Sequence, residues 1–173
     1  MLVNAAGLFA PRVAAAIAGL PKAAIPTAWL AKGSYFTVQS PVVMPHLVYP
    51  VPEPGGLGIH TTLDLAGGVR LGPDVEWIDS LDYSVDASKA DAFHRAVAKY
   101  LPELPRAKLR PGYAGVRAKI VGPGDPPADF VVQGAASHGI PALVQLFGIE
   151  SPGLTACLAL ADETVALLCG TAG

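Results

Sequence analysis

Leu143-Val144-Gln145-Leu146-Phe147-Gly148-Ile149-Glu150-Ser151-Pro152-Gly153-Leu154-Thr155 is the stretch whose reading decides the fold. Its apolar run predicts a strand over Leu143 to Ile149, which breaks at Glu150-Ser151-Pro152-Gly153 and turns into a helix from Leu154. Ser151 is of the type that caps a helix start, and Pro152 suits the first helical position, where no N–H is needed. Gly153 leaves room for another group to approach the backbone closely. A helix start presents unpaired N–H donors and a partial positive charge, so it attracts an anion or a polarised carbonyl. An ordinary, well-capped helix with no ligand is the alternative reading of these residues.

Working outward, Leu2 to Ala6 is a short apolar strand ending at Gly7, and Pro11 to Leu20 reads as a helix stopped by Pro21. A buried strand there needs a neighbour on each side, which suggests that part of its sheet lies outside this sequence. From Ala28 to Lys119 strands dominate: Lys32 to Gln39, His46 to Val51, Leu57 to Leu63, Val69 to Gly72 and Leu109 to Ile120. Ala66-Gly67-Gly68 is a hairpin turn, and such close spacing favours antiparallel pairing. Asp86 to Leu101 carries Ala90, Phe93, Val97 and Tyr100 on one face and reads as an amphipathic helix ended by Pro102. Asp129 to Gln133 is a further strand. The fold class expected is α/β (α+β): a mostly antiparallel sheet flanked by helices, with parts of a second, Rossmann-like sheet at both ends.

The 173 residues suit one domain, or part of a larger protein. Lys plus Arg total 12 against 14 Asp plus Glu, a formal charge of -2, so no basic surface exists to hold nucleic acid. Only 15% of residues are charged, against about 25% in typical domains, and 51% are hydrophobic. Some surface is therefore expected to be covered by something else. The most apolar stretch, Leu154 to Cys169, is broken by Asp162 and Glu163 and falls short of the ~20 residues of a membrane span. Cys157 and Cys169 sit about 18 Å apart along one helix, too far for a disulfide, and read as buried thiols of a reducing cytoplasm.

Four histidines and a few arginines hold the remaining chemistry. His60 alternates with Gly58 and Thr62, so it need not belong to the apolar side of its strand; a polar residue on the solvent face is the plain alternative. His138 lies in the small-residue loop Gly134-Ala135-Ala136-Ser137-His138-Gly139, which misses a nucleophile elbow because Ala135 stands where glycine is needed. His46 and His94 read as structural or exposed, and no spacing suggests a metal site. Arg110 and Arg117, seven residues apart on one strand, should face opposite sides, and either guanidinium could grip a carboxylate.

The string His138-Gly139-Ile140-Pro141-Ala142 followed by Leu143 to Thr155 resembles the C-terminal signature of the D-amino-acid-oxidase superfamily of FAD-dependent oxidoreductases. Within it, the branch that includes L-2-hydroxyglutarate dehydrogenases is most similar. Val3-Asn4-Ala5-Ala6-Gly7 resembles the strand and turn that closes the family's FAD-binding sheet. Lys32-Gly33-Ser34-Tyr35-Phe36, Tyr49-Pro50-Val51-Pro52, Gly58-Ile59-His60-Thr61 and Leu71-Gly72-Pro73 resemble substrate-domain strands and hairpins. Arg110 to Arg117 resembles the strand returning toward the flavin. These motifs cover nearly the whole chain and keep the family's order.

The resemblance implies a partial FAD-binding domain over residues 1–27 and 121–173 and a substrate-binding domain over 28–120. It implies FAD as cofactor, contacted by Ala6, Gly7, Gly148, Ile149, Glu150, Ser151, Gly153, Leu154 and Thr155. It implies oxidation of a small 2-hydroxy acid such as L-2-hydroxyglutarate by hydride transfer to flavin N5. Arg117 would hold the substrate carboxylate, His60 would take the hydroxyl proton, and Tyr113, Lys32 and His138 would line the substrate. The family's Gly-x-Gly-x-x-Gly turn for the FAD pyrophosphate is absent, since Gly55-Gly56-Leu57-Gly58 lies between strands and opens no helix. A missing N-terminal half or a separate FAD-binding chain is therefore an expected partner, with homo-oligomerisation open. A glycine- or sarcosine-oxidase-like amino-acid oxidase, and an inactive fragment or interaction module, are the rival readings.

Overall fold

The computed structural model describes residues 1–39, 44, 46–51 and 58–170. In chain order its elements are β1 (Leu2–Asn4), α1 (Ala10–Ala15), β2 (Trp29–Val38), β3 (His60–Leu63), β4 (Val69–Gly72), β5 (Glu76–Ile78), α2 (Ala90–Val97), β6 (Leu109–Lys119), β7 (Val131–Gln133), α3 (Ala135–His138), β8 (Leu143–Phe147) and α4 (Cys157–Cys169). The class is mixed α/β with mostly antiparallel sheets. The chain divides into two compact units, Met1–Leu30 with Arg117–Gly173, and Ala31–Val116.

In the first unit the strand order is β1-β8-β7. β1 runs parallel to β8, Leu2 opposite Leu143 and Asn4 opposite Gln145, while β7 is antiparallel to it. α1 lays Ala10 and Ala14 on Phe147, with Leu20, Ile25, Ile120 and Val131 closing the cluster. Small residues on α1 let the helix approach the ring closely. Below it, Asn4 Nδ2 donates to Gln145 Oε1 at 2.6 Å and to the Ala10 carbonyl at 2.8 Å, joining strand, strand and helix through buried amides. Only Asn4 of β1 is buried; Leu2 and Val3, expected inside, are about half open because the sheet covers one side of the strand.

α4 rests on the sheet with Thr164 inward and Leu167 against Gly134. Leu158 and Val165 point outward, and so do both cysteines. The expectation of buried thiols is thus corrected: the helix is apolar on nearly all sides but packs along only one. Among the described residues no helix is long and apolar enough to cross a membrane.

In the second unit the order is β3-β4-β2-β5, and β6 also pairs with β2. The predicted turn forms: Asp64 Oδ1 accepts the Ala66 and Gly68 amides, the Asp64 amide donates to the Gly68 carbonyl, and the Gly67 amide donates to the Asp64 carbonyl. Gly72 has φ +140, and a Cβ there would lie 2.9 Å from Tyr35 Cδ1 and 2.6 Å from the Ser34 carbonyl, so only glycine fits. Phe36, Val69 and Leu71 meet Ala90, Phe93 and Val97 of α2, with Leu104 and Leu109 closing the core. Phe36 and Phe93 stand 4.6 Å apart at a tilt of 48°.

Several boundaries differ from expectation for identifiable reasons. The helix expected over Asp86 to Leu101 narrows to α2, because Asp86 caps the Ser88 amide and the first turn is 3₁₀. The helix expected over Pro11 to Leu20 ends at Ala15, where Ala16 and Ile17 turn back to carbonyls three residues earlier. His46 to Val51 forms a single bridge, Val48 to Thr61, since Pro50 has no N–H to extend a ladder. β5 and α3 were not anticipated; each is under five residues and leaves no periodicity to read. The motif residues Pro52, Gly55, Gly56 and Leu57 lie outside the described residues.

Phe93 is 1% exposed and is the large side chain that α2 drives into the core. Phe93→Ala should destabilise the second unit by about 3–5 kcal/mol, read as a lower midpoint in chemical denaturation.

Candidate functional site

The segment after β8 does not begin a helix at Ser151. Gly153 donates to the Glu150 carbonyl in a tight turn, Ala156 to Pro152, and regular α-helix begins only at Cys157. Pro152 is therefore inside a turn rather than at the first helical position, and Ala156 precedes the helix with no side-chain cap. This corrects the reading of Ser151 as N-cap. A Cβ on Gly153 would meet the Glu150 carbonyl at 2.6 Å and Ile149 Cγ2 at 2.7 Å, so this glycine serves the turn itself. Ile149, Glu150, Ser151, Pro152, Gly153, Leu154 and Thr155 line an open cavity of about 400 Å³. Among the described residues the amides of Leu154 and Thr155 donate no hydrogen bond, which leaves two N–H groups beside that cavity for an anionic or carbonyl oxygen.

Glu150 is nearly buried and held by two cations. Arg117 Nη1 lies 3.3 Å from Oε2, and Lys119 Nζ bonds to Oε1. Both cations come from the end of β6, so the charges tie that strand to the turn. Arg117 thus has one donor committed and, with a guanidinium's five N–H groups, keeps others for a ligand. Arg110 is committed to its own neighbourhood instead: Nη1 donates to the Ala107 and Leu109 carbonyls, both at 2.9 Å.

His138, expected in a loop, ends the short helix α3 and is buried. The Ile140 amide donates to Nδ1 at 3.2 Å, so the proton resides on Nε2. That buried Nε2–H has no acceptor among the described residues. Ala6 and Gly7 follow β1, Gly7 opening a 3₁₀ turn, and Gly148 follows β8 against Ile120.

His60 opens β3 and is 6% exposed. Thr61 Oγ1 accepts the Val48 amide at 2.9 Å and its own amide reaches the Val48 carbonyl at 3.0 Å, which fixes the neighbouring segment. Tyr49 is thereby laid over His60, ring centroids 4.2 Å apart and 16° from parallel. On the other side of the strand Tyr100 donates to the Ile59 carbonyl at 2.8 Å, and burial pushes its phenol up to about 12. His60 Nδ1 stands 3.2 Å from the Gly58 carbonyl. A carbonyl can only accept, so Nδ1 carries a proton.

Tyr113 stacks on Tyr35, centroids 4.6 Å apart and 11° from parallel, and the Arg70 guanidinium carbon lies 5.6 Å from the Tyr113 ring centre. Arg70 and Tyr35 were not among the expected site residues. The alternation Val69-Arg70-Leu71 was the available signal, but its meaning needs the pairing partners.

Lys32, expected to offer its charge to a ligand, is buried and bonded through Nζ to Asp82 Oδ2 at 2.5 Å. That bond, with further bonds from the Ser84 amide and hydroxyl, holds the Asp82 carboxyl far below the usual carboxylate range. A depressed carboxyl pKa contributes stability above its unfolded value, ordinarily 3.8, and loses it as pH falls through the folded value. Asp82→Asn strands the buried ammonium, whereas Lys32→Met removes it. The thermal midpoint at pH 7 should therefore drop further for Asp82→Asn than for Lys32→Met, and the gap between Asp82→Asn and wild type should narrow below pH 3.8. Equal losses at pH 7 would mean that the pair's charge plays no part.

With this geometry in hand, comparison with known proteins is direct. The mitochondrial L-2-hydroxyglutarate dehydrogenase of Arabidopsis thaliana is 47% identical over 175 residues, covering 94% of this chain and 36% of that protein. The glycerol 3-phosphate oxidase of Mycoplasma genitalium is 30% identical over 141 residues, covering 79% of this chain and 35% of that one. Among solved structures, dithionite-reduced, FAD-bound L-α-glycerophosphate oxidase from Mycoplasma pneumoniae aligns with a TM-score of 0.76 at 24% identity, over 96% of this chain and 42% of that one. The chain thus spans about a third of the length of the curated relatives it matches. The family model for FAD dependent oxidoreductases matches residues 2–167, and the chain belongs to that family, DAO.

Proposed function

We propose that this chain serves the FAD-dependent oxidation of a small 2-hydroxy acid, L-2-hydroxyglutarate, to the corresponding 2-oxo acid. The observation that carries the reading is His60, a buried histidine whose Nδ1 is held by the Gly58 carbonyl and whose ring is stacked by Tyr49. The 47% identity to a protein named for L-2-hydroxyglutarate supports the substrate.

The residues present fit one end of FAD. The Leu154 and Thr155 amides beside the open cavity, and the orphaned Nε2–H of His138, are donors of the kind that suits flavin or substrate oxygens. Ala6, Gly7, Gly148, Ile149, Glu150, Ser151 and Gly153 belong to the same proposed surface. No Gly-x-Gly-x-x-Gly occurs for the pyrophosphate. The first unit is accordingly read as the cofactor part and the second as the substrate part.

FAD, when bound, supplies the two-electron acceptor for the hydride that leaves the α-carbon. His60 Nε2 takes the hydroxyl proton, so the substrate loses one hydride and one proton and gains a C=O bond. Arg117, kept in place by Glu150, donates to the carboxylate with its remaining N–H groups. Tyr113 adds a hydroxyl, while Lys32 acts through Asp82 rather than by direct contact. An additional polypeptide segment or chain would supply the pyrophosphate clamp, and a second copy of the chain remains compatible. Two exposed thiols without a disulfide suit a reducing compartment such as the cytoplasm, although the plant relative is mitochondrial by name.

The test is anaerobic mixing of the FAD-loaded protein with L-2-hydroxyglutarate while the flavin absorbance is followed. Bleaching by L-2-hydroxyglutarate but not by glycine is expected; the reverse would replace this reading with an amino-acid oxidase. His60→Gln should slow the bleaching by about 10²–10⁴-fold, because the variant has no base for the hydroxyl proton. An unchanged rate would remove His60 from the chemistry.

A further inference from the structure

The sheet face of the second unit that looks away from α2 holds more than His60. In the β3–β4 register His60 stands opposite Gly72 and Thr62 opposite Arg70, and in the β2–β4 register Thr37 stands opposite Arg70. Directly paired residues share a face, so His60, Thr62, Arg70 and Thr37 lie on one side, with Phe36, Thr61 and Leu71 on the other. His60 and Arg70 are therefore diagonal neighbours, a relation that puts Cβ atoms about 7–8 Å apart. Gly72, between them in the pattern, has no side chain and admits the Tyr35 ring.

Arg70 is neither a packing residue nor locked in an ion pair. Its contact with Asp64 is a single one at 3.4 Å between partly exposed groups, and the other Asp64 oxygen already accepts two turn amides. Its guanidinium rests near Tyr113, which is itself backed by Tyr35. A cation–π contact of this length restrains the guanidinium while leaving it N–H donors that can meet a carboxylate. Tyr113 is 48% exposed, so the platform is open to solvent.

We propose that Arg70, seated on Tyr113, is the specificity-determining cation for the second carboxylate of a dicarboxylic 2-hydroxy acid whose hydroxyl proton His60 removes. The proposal rests on the 2-hydroxy-acid reading given above. A substrate carboxylate displaces the long contact to Asp64 and takes two short, charge-assisted bonds in its place. Monocarboxylic 2-hydroxy acids leave the guanidinium unused, so Arg70 sets chain length and charge preference rather than the rate of proton removal.

The experiment measures calorimetric binding of glutarate, a redox-inert dicarboxylate, and of butyrate to the FAD-loaded protein, for wild type, Arg70→Met and Arg70→Lys. It is paired with kcat/KM for L-2-hydroxyglutarate and L-2-hydroxybutyrate. Arg70→Met should weaken glutarate binding about tenfold or more and lower the dicarboxylate preference by the same factor, with Arg70→Lys intermediate. Glutarate affinity and preference unchanged in Arg70→Met overturn the proposal, even where the wild type oxidises L-2-hydroxyglutarate. Should Arg70→Met fail to fold by circular dichroism, Arg70→Lys decides, and wild-type affinity in that variant overturns it. Arg70-dependent glutarate binding in a protein that oxidises neither hydroxy acid instead sinks the parent reading and upholds the carboxylate site.

Discussion

A strand has two faces and no more, and the second unit is organised by that constraint. Phe36, Thr61 and Leu71 point toward α2, while Tyr35, Thr37, His60, Thr62 and Arg70 are left on the opposite side. The apolar set pins the register, because a slip of one residue would turn Arg70 into the core and Leu71 out of it. The polar face inherits its arrangement from that pinning. Burial of Phe36 against Phe93 thus places a histidine and an arginine as diagonal neighbours on the opposite face.

Polar groups in this protein are fastened from the back. Tyr100 grips the Ile59 carbonyl behind His60, Thr61 fastens the Val48 segment that carries Tyr49, and the Gly58 carbonyl selects the imidazole tautomer. In the first unit, Arg117 and Lys119 fasten Glu150, and Glu150 in turn closes the turn through Gly153. Groups with their geometry settled in advance lose little freedom when a ligand arrives. The first unit also keeps apolar surface in view, with Leu154, Leu158 and Val165 largely exposed. This accords with a chain that is poor in charged residues.

Much of the architecture was legible beforehand. The strand at Val69 to Gly72, the Ala66-Gly67-Gly68 turn and the long strand from Leu109 follow from alternation and turn chemistry, which act over a few residues. The helix core of Ala90, Phe93 and Val97 follows from its spacing. Ser151 misled because cap preference is local, whereas the turn there is settled by Glu150 and Ile149 packing on Gly153. The cysteines misled because an apolar helix does not announce which side its neighbours cover. The partner of Lys32, Asp82, lies fifty positions away, beyond the reach of any local pattern.

By itself the amino-acid sequence determined the family signature, most of the strands and helices in their order, the want of basic surface and the presence of His60 on a polar strand face, all being properties of composition or short spacing. Only the tertiary structure decided that Tyr49 covers His60, that Glu150 occupies Arg117 and that Arg70 stands diagonal to the histidine. Those facts depend on which strands pair and in what register. Register is set by the burial of side chains far apart in the chain, and no local pattern encodes it.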